Sequence, residues 1–106
     1  MTPMTADQAF DLVTASLSDM SIREGRMFGC RTLLSGRKMF AVLYDRRLAV
    51  RLGRGSQRMH ELASSPAAEE WDPTRRHQPF RDWALVSFEL HDEWPDLARV
   101  AYEALP

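Results

Sequence analysis

The sequence predicts an α+β fold: a two-layer domain in which an antiparallel sheet of about five strands packs with three helices, in the order α-β-β-β-β-α-β-α. Three observations carry this. Short runs with period-two alternation follow one another across residues 23–52, broken by turns containing Gly or Asp. Consecutive strands on short turns pair antiparallel. Apolar residues recur at helical spacing near both ends of the chain, and such stripes must be covered by the sheet. A chain of 106 residues with 44% hydrophobic and 27% charged side chains reads as one globular domain over residues 1–106.

The first helix opens at Thr5. With Gln8 three residues on, Thr5 forms a capping box, and Ala6, Phe10, Val13 and Leu17 follow as one apolar stripe. Asp7 and Asp11 suit the positive end of the helix dipole. Ser16, Ser18 and Asp19 end the pattern.

Four strand-like runs come next. Arg23 to Phe28 is the first, with Gly25 as a bulge candidate, and Arg31 to Leu34 is the second. Ser35-Gly36-Arg37 has turn chemistry. Lys38 to Tyr44 is the third, with Met39, Ala41 and Leu43 expected on one face and Phe40, Val42 and Tyr44 on the other. Apolar residues on both faces suggest a strand covered on both sides or lying at an oligomer contact. After Asp45-Arg46, residues Leu48, Val50 and Leu52 alternate with Arg47, Ala49 and Arg51, as in a strand with one buried and one wet face.

Gly53-Arg54-Gly55-Ser56 breaks the strand, and Ser56 caps a short helix to about Ala63. Residues 66–80 are the least regular part, with Pro66, Pro73 and Pro79 and only Trp71 and Phe80 as anchors. Trp83 to Leu90 is the fifth expected strand, with Ala84, Val86, Phe88 and Leu90 on one face. A last helix runs from about Trp94 to Leu105, with Pro95 in its first turn and Trp94, Leu97, Ala98, Ala101 and Leu105 as its stripe.

Net charge is -1, yet residues 23–58 hold ten Lys/Arg against two acids, and both flanks are acidic. A basic middle between acidic ends fits an anion-binding face, or strand basics that pair with helix acids across one small domain; the second is preferred. No apolar run approaches the roughly 20 residues of a membrane span, and the first residues lack a signal-peptide pattern. With Cys30 alone, no disulfide framework is implied. A cytoplasmic protein without membrane contact is expected.

No residue set assembles a catalytic, cofactor or metal site. Cys30 lacks an adjacent base, since Arg31 beside it on a strand points the other way. His60, His77 and His91 are too dispersed for a metal motif. Glu69-Glu70 and Asp92-Glu93 are adjacent acids that rarely converge on one substrate. The Gly53–Ser56 loop lacks the spacing of a phosphate loop. Arg47, Arg51 and either Arg26 or Arg31 would line an exposed sheet face near Tyr44 or Trp83, a combination that suits nucleic acid. Together with the apolar third strand, this makes Arg26, Arg47, Arg51, Phe40 and Tyr44 the expected interaction surface.

Arg26-Met27-Phe28-Gly29, Gly36-Arg37-Lys38-Met39-Phe40-Ala41-Val42-Leu43, Leu48-Ala49-Val50-Arg51-Leu52, Phe80-Arg81-Asp82-Trp83 and the closing Trp94-to-Ala104 helix, in this order, resemble the TfoX (Sxy) N-terminal domain family over residues 22–105. Cys30 departs from the family, which often has a second Gly after Met-Phe-Gly. The resemblance implies an α+β domain with an antiparallel sheet and no established catalytic residues. The name comes from a regulator of natural competence that works with the cyclic-AMP receptor protein and carries a helical C-terminal domain. This chain resembles the stand-alone members, whose role is generally unassigned. Met27, Phe28, Gly29, Gly36, Met39, Phe40 and Trp83 are then fold determinants: the glycines for turns, Met27, Phe28, Met39 and Phe40 for the core or an interface, and Trp83 as a sheet anchor. A non-enzymatic regulatory or protein-interaction module is expected, with a protein partner and self-association in view. The alternative is a small nucleic-acid-binding domain using the 23–58 basics.

Overall fold

The computed structural model describes residues 3–72 and 80–106; Pro73, Pro79 and His77 lie outside the described residues. Three α-helices, α1 (Ala6–Ser16), α2 (Gln57–Ala63) and α3 (Trp94–Glu103), accompany one antiparallel sheet. Its six strands are β1 (Arg23–Met27), β2 (Cys30–Ser35), β3 (Lys38–Tyr44), β4 (Arg47–Arg51), β5 (Ala68–Trp71) and β6 (Phe80–Val86), in the spatial order β1-β2-β3-β4-β6-β5. The fold is α+β, as the alternating runs and the two amphipathic ends imply.

The strand absent from the sequence reading is β5. Ala68-Glu69-Glu70-Trp71 carries little β propensity of its own. It is a strand because β6 supplies the ladder, with Glu69 opposite Leu85 and Glu70 opposite Ala84. β6 in turn stops at Val86, four residues short of the expected end. The Ser87 hydroxyl accepts from the Glu89 N–H at 3.2 Å and starts a 3-10 turn over Phe88–Glu93. Phe88 and Leu90 still reach the core, but from this turn rather than from a strand.

α1 begins as its sequence dictates. Thr5 Oγ1 accepts from the Gln8 N–H at 3.1 Å, and Gln8 Oε1 accepts from the Thr5 N–H at 2.9 Å. Ala6, Phe10, Val13 and Leu17 are buried. Arg99 of α3 donates to the Ser16 carbonyl at 3.0 Å, satisfying an orphan acceptor at the end of α1. Trp94, Leu97, Ala98 and Ala101 of α3 are buried in the same core.

The central strand holds the main departure from simple alternation. Leu33 pairs with Ala41, but Leu34 pairs with Met39, so Phe40 is an extra residue in β3. Such a bulge turns two successive side chains toward one face. Phe40 and Ala41 both enter the helix-side core with Leu33, Leu48, Val50 and Leu52. Met39, Val42 and Tyr44 lie on the other face. The expected partition of β3 is corrected accordingly: Met39 and Phe40 exchange faces, while Ala41, Leu43, Val42 and Tyr44 group as alternation says.

The second face has its own apolar cluster, Val42, Ala49, Trp71, Trp83 and Leu85, bordered by Cys30, Met39, Tyr44 and Phe80. The Trp71 ring lies 5.1 Å from Trp83 and 5.5 Å from both Tyr44 and Phe80, centroid to centroid. β4 and β6 separate Trp71 on β5 from Tyr44 on β3. In a flat sheet that separation would be about 14 Å. The Trp71 and Tyr44 side chains therefore reach toward each other across β4 and β6 on this face. The wet face expected of β4 is only half right, because Ala49 at its centre is buried.

The bulge places Phe40 edge-on to Tyr102 of α3, with ring centroids 5.6 Å apart. A double-mutant cycle of Phe40→Leu with Tyr102→Leu, followed by urea unfolding, should give a coupling of about 0.5–1.5 kcal/mol. The cycle of Phe40→Leu with Trp83→Leu should be additive within about 0.5 kcal/mol. The reverse pattern would place Phe40 on the Trp83 face.

Candidate interaction surface

The basic middle of the chain divides into paired and unpaired cations. Arg31, Arg47, Arg51, Arg54 and Arg58 each face a carboxylate. Arg31 is the most committed. It reaches Asp7 at 3.3 Å and Asp11 at 2.6 Å on α1, and Glu24 at 2.9 Å on β1. Its guanidinium also stands 5.0 Å above the Phe10 ring. The hydrogen bond to Glu24, then those to Asp11 and Asp7, raise the Arg31 pKa above its ordinary value against the opposing effect of desolvation. This is helix acid paired with strand base, and it clips α1 onto the sheet.

The expected surface residues do not form one surface. Phe40 is fully buried, because the bulge turns it into the core; it is corrected from surface to core. Tyr44 is half-buried against Trp71 on the second face. Arg47 lies on that face and pairs with Glu69 at 3.0 Å, and Arg51 lies 4.0 Å from Asp82 at the far end of β4. Arg26 sits on β1 at the sheet edge, and its Nη1 donates to the Gly29 carbonyl at 3.2 Å. Of the cations that face no carboxylate side chain among the described residues, Arg23, Arg37 and Lys38 lie at the β2–β3 turn end, where Arg23 donates to the Gly36 carbonyl and Lys38 to the Pro106 carbonyl, and Arg26 and Arg46 at the opposite end. They line no single groove.

Other candidates resolve into structural roles. Glu69 and Glu70 face different arginines, Arg47 and Arg81. Asp82 occupies the Gly53–Ser56 loop: its carboxylate accepts from the Arg54 N–H at 2.8 Å and its carbonyl accepts from the Gly53 N–H at 3.0 Å. His91 stacks on Phe88, with ring centroids 4.7 Å apart, and His60 is exposed on α2. Among the described residues no three His, Cys, Asp or Glu side chains gather as a metal site, and no helix is long and apolar enough to cross a membrane. A depression of about 470 Å³ lies between α2 and the β5–β6 pair, but its charged rim is internally paired through Arg81 and Glu70 at 3.7 Å.

What remains is the Met-Phe-Gly turn. Phe28 and Gly29 are the two central residues between β1 and β2, and both have positive φ, 56° and 76°. This is the backbone of a primed hairpin turn, which Asn-Gly fits best. Phenylalanine there is strained, at about 1–2 kcal/mol for a side chain held left-handed. The residue is also 72% exposed, the highest exposure among the described large hydrophobic residues. Sequence reading placed the turn at Gly29 but ran the first strand through Phe28 and assigned Phe28 to core or interface, so it missed Phe28 as a turn residue. The signal was present in the spacing, since a two-residue gap between strand runs ending in Gly is a hairpin pattern. Asp45 and Arg46, at φ 49° and 60°, form the β3–β4 turn at the same end of the sheet. Among the described residues, the three non-glycine residues with positive φ thus lie at this end of the sheet, Phe28 beside the β1 edge and Asp45 and Arg46 further in, between β3 and β4.

No family model, curated protein or solved structure matches the chain.

Two stability outcomes follow from this geometry. Phe28→Asn keeps the turn and removes the strained aromatic, so it should raise stability by about 1 kcal/mol, measured as a rise in the urea midpoint at unchanged m-value. Arg31→Met should lower stability by about 1.5–3 kcal/mol, since it strips charged hydrogen bonds from Asp7, Asp11 and Glu24. Part of that loss should return at 1 M salt, where repulsion among the stranded carboxylates is screened.

Proposed function

We propose that this chain is a non-enzymatic, cytoplasmic regulatory module of the TfoX N-terminal type, and that it works by protein contact through Phe28 and the adjoining β1 edge. The observation that carries the reading is Phe28 itself: a large aromatic, 72% exposed, on a turn whose backbone it strains. Folding gains nothing from a phenylalanine there, and exposed aromatics on rigid turns are the anchors from which protein interfaces take most of their energy. The family resemblance supports the same reading, because Phe28 lies within the Met-Phe-Gly word that carries it.

The nucleic-acid alternative draws less support. Five of the ten basic residues in 23–58 face carboxylates, and the others divide between opposite ends of the sheet. Nucleic-acid binding needs cations that track a backbone along one path.

The test compares wild type with Phe28→Asn in two assays. Tagged proteins are used to capture partners from extract of the source cell, and light scattering follows mixed-sequence duplex DNA at low and high salt. A protein retained by wild type and lost from the more stable Phe28→Asn variant supports the reading. Identical capture by both variants overturns it. A salt-sensitive DNA complex that is indifferent to Phe28 would transfer the function to the nucleic-acid class.

A further inference from the structure

β1 ends the sheet among the described residues, with its outer edge unpaired. The Phe28-Gly29 turn closes on Met27 and Cys30, which in a two-residue hairpin form a hydrogen-bonded pair. Alternation along the ladder then turns the N–H and C=O of Arg23, Gly25 and Met27 toward β2. Those of Glu24 and Arg26 point outward, so the open edge offers two residues' worth of donors and acceptors.

The charge at this edge is unbalanced in a self-complementary way. Glu24, Asp7 and Asp11 converge on the single cation Arg31. That leaves an excess of negative charge on the helix-side face beside β1. Arg26 lies on the same face, directly opposite Arg31 in the β1–β2 register, with no carboxylate partner. Like charges directly opposite are unfavourable. Each chain therefore carries, on the same outward-facing strand, an acid that shares its one cation with Asp7 and Asp11 and a base that faces no carboxylate among the described residues.

We infer that the first occupant of this edge is a second copy of the chain, joined through antiparallel β1–β1 pairing centred on Gly25. This rests on the reading of the Phe28 turn and β1 edge as a protein-contact surface, and it names the partner. A two-fold axis perpendicular to the sheet at Gly25 places Glu24 opposite Arg26 of the second copy, and Arg26 opposite its Glu24. Those are also the residues whose backbone groups face outward, so the ion pairs and the new ladder bonds fall at the same positions. Glycine at the axis allows the two strands to approach closely. The ladder ends at Met27, so Phe28 lies on the turn just past the paired segment. Sliding by two residues, the smallest slide that keeps both faces, sets Glu24 against Glu24 or Arg26 against Arg26. The charge pattern selects one register and penalises its neighbours.

A strand pair of this length makes a small interface, below roughly 1,200 Å², so the association is weak. Sedimentation of the wild type over about 1 μM to 1 mM should show mass rising from 12.2 kDa toward twice that value. Arg26→Glu should move the midpoint up about tenfold or more, because acids then face acids twice. Mixing Arg26→Glu with Glu24→Lys should restore a mixed dimer, since both cross-strand pairs become complementary again.

Register is read separately, in a Cys30→Ser background that removes the single native thiol. A Cβ at Gly25 meets only ends of flexible side chains, Leu34 Cδ1 at 3.1 Å and Arg23 Nη1 at 3.6 Å, and Gly25→Cys should form a disulfide-linked dimer under mild oxidation. Glu61→Cys on α2 should link far more slowly. Wild type that stays at 12.2 kDa throughout overturns the inference. So does a dimer indifferent to Arg26→Glu, or Gly25→Cys linking no faster than Glu61→Cys. If wild type is monomeric yet Phe28→Asn still loses a captured protein, the second copy is the wrong occupant and the contact surface stands. If neither the dimer nor capture depends on β1 or Phe28, both readings fall together.

Discussion

One extra residue in the central strand, Phe40, decides what each face of the sheet presents. Because Leu34 pairs with Met39 and Leu33 with Ala41, Phe40 drops out of register and joins Ala41 on the helix side. That supplies the aromatic against which Tyr102 of α3 packs. It also leaves Met39, Val42 and Tyr44 on the opposite face, where Trp71 closes over them from β5. Without the bulge, Phe40 would stand on the Trp71 side and the helix layer would lose its central contact on β3. A bulge also increases local twist. On that face the Trp71 ring reaches to 5.5 Å from Tyr44 across two intervening strands.

Charge does a different job from hydrophobic packing here. Half of the basic residues in 23–58 are consumed in ion pairs, several of which tie elements together. Arg31 ties α1 to β1 and β2, Arg58 ties α2 to α3 through Asp96 at 2.9 Å, and Asp82 ties β6 to the loop after β4. Exposed ion pairs contribute little each, but Arg31 is mostly buried and shared by three carboxylates, which puts it outside the range of a simple surface pair. The same sharing leaves the β1 edge acidic beside an unpaired Arg26. The structural use of Arg31 therefore creates the electrostatic pattern that the edge presents to a neighbour.

The Met-Phe-Gly turn is where local and global preferences disagree. Hairpins of this length want Asn or Gly at the first central position, and the chain has Phe28 with its ring in water. Elsewhere the turns follow the rule more closely, with Gly36 at φ 61° between β2 and β3 and Asp45 leading the β3–β4 turn. Conflicts of this kind in an otherwise consistent sequence tend to mark function rather than folding.

The capping box at Thr5, the stripes of α1 and α3, and the strand from Arg47 to Arg51 were legible in the sequence, because each depends on neighbours within a few residues. So was ion pairing between the basic middle and the acidic flanks, which five of the ten basic residues show. The faces of Met39 and Phe40, the strand Ala68–Trp71 and the end of β6 at Val86 were not. A bulge appears only when two strands are laid side by side, and a weak four-residue segment becomes a strand only when β6 offers it a ladder. The contact surface divided in the same way. Arg26 could be named from composition, but the exposure of Phe28 follows from the β1–β2 turn, the burial of Phe40 from the bulge in β3, and the acids around Glu24 gather only once α1 has been folded over the sheet. Local spacing determined the elements, and pairing across the sheet decided which of their residues meet the solvent.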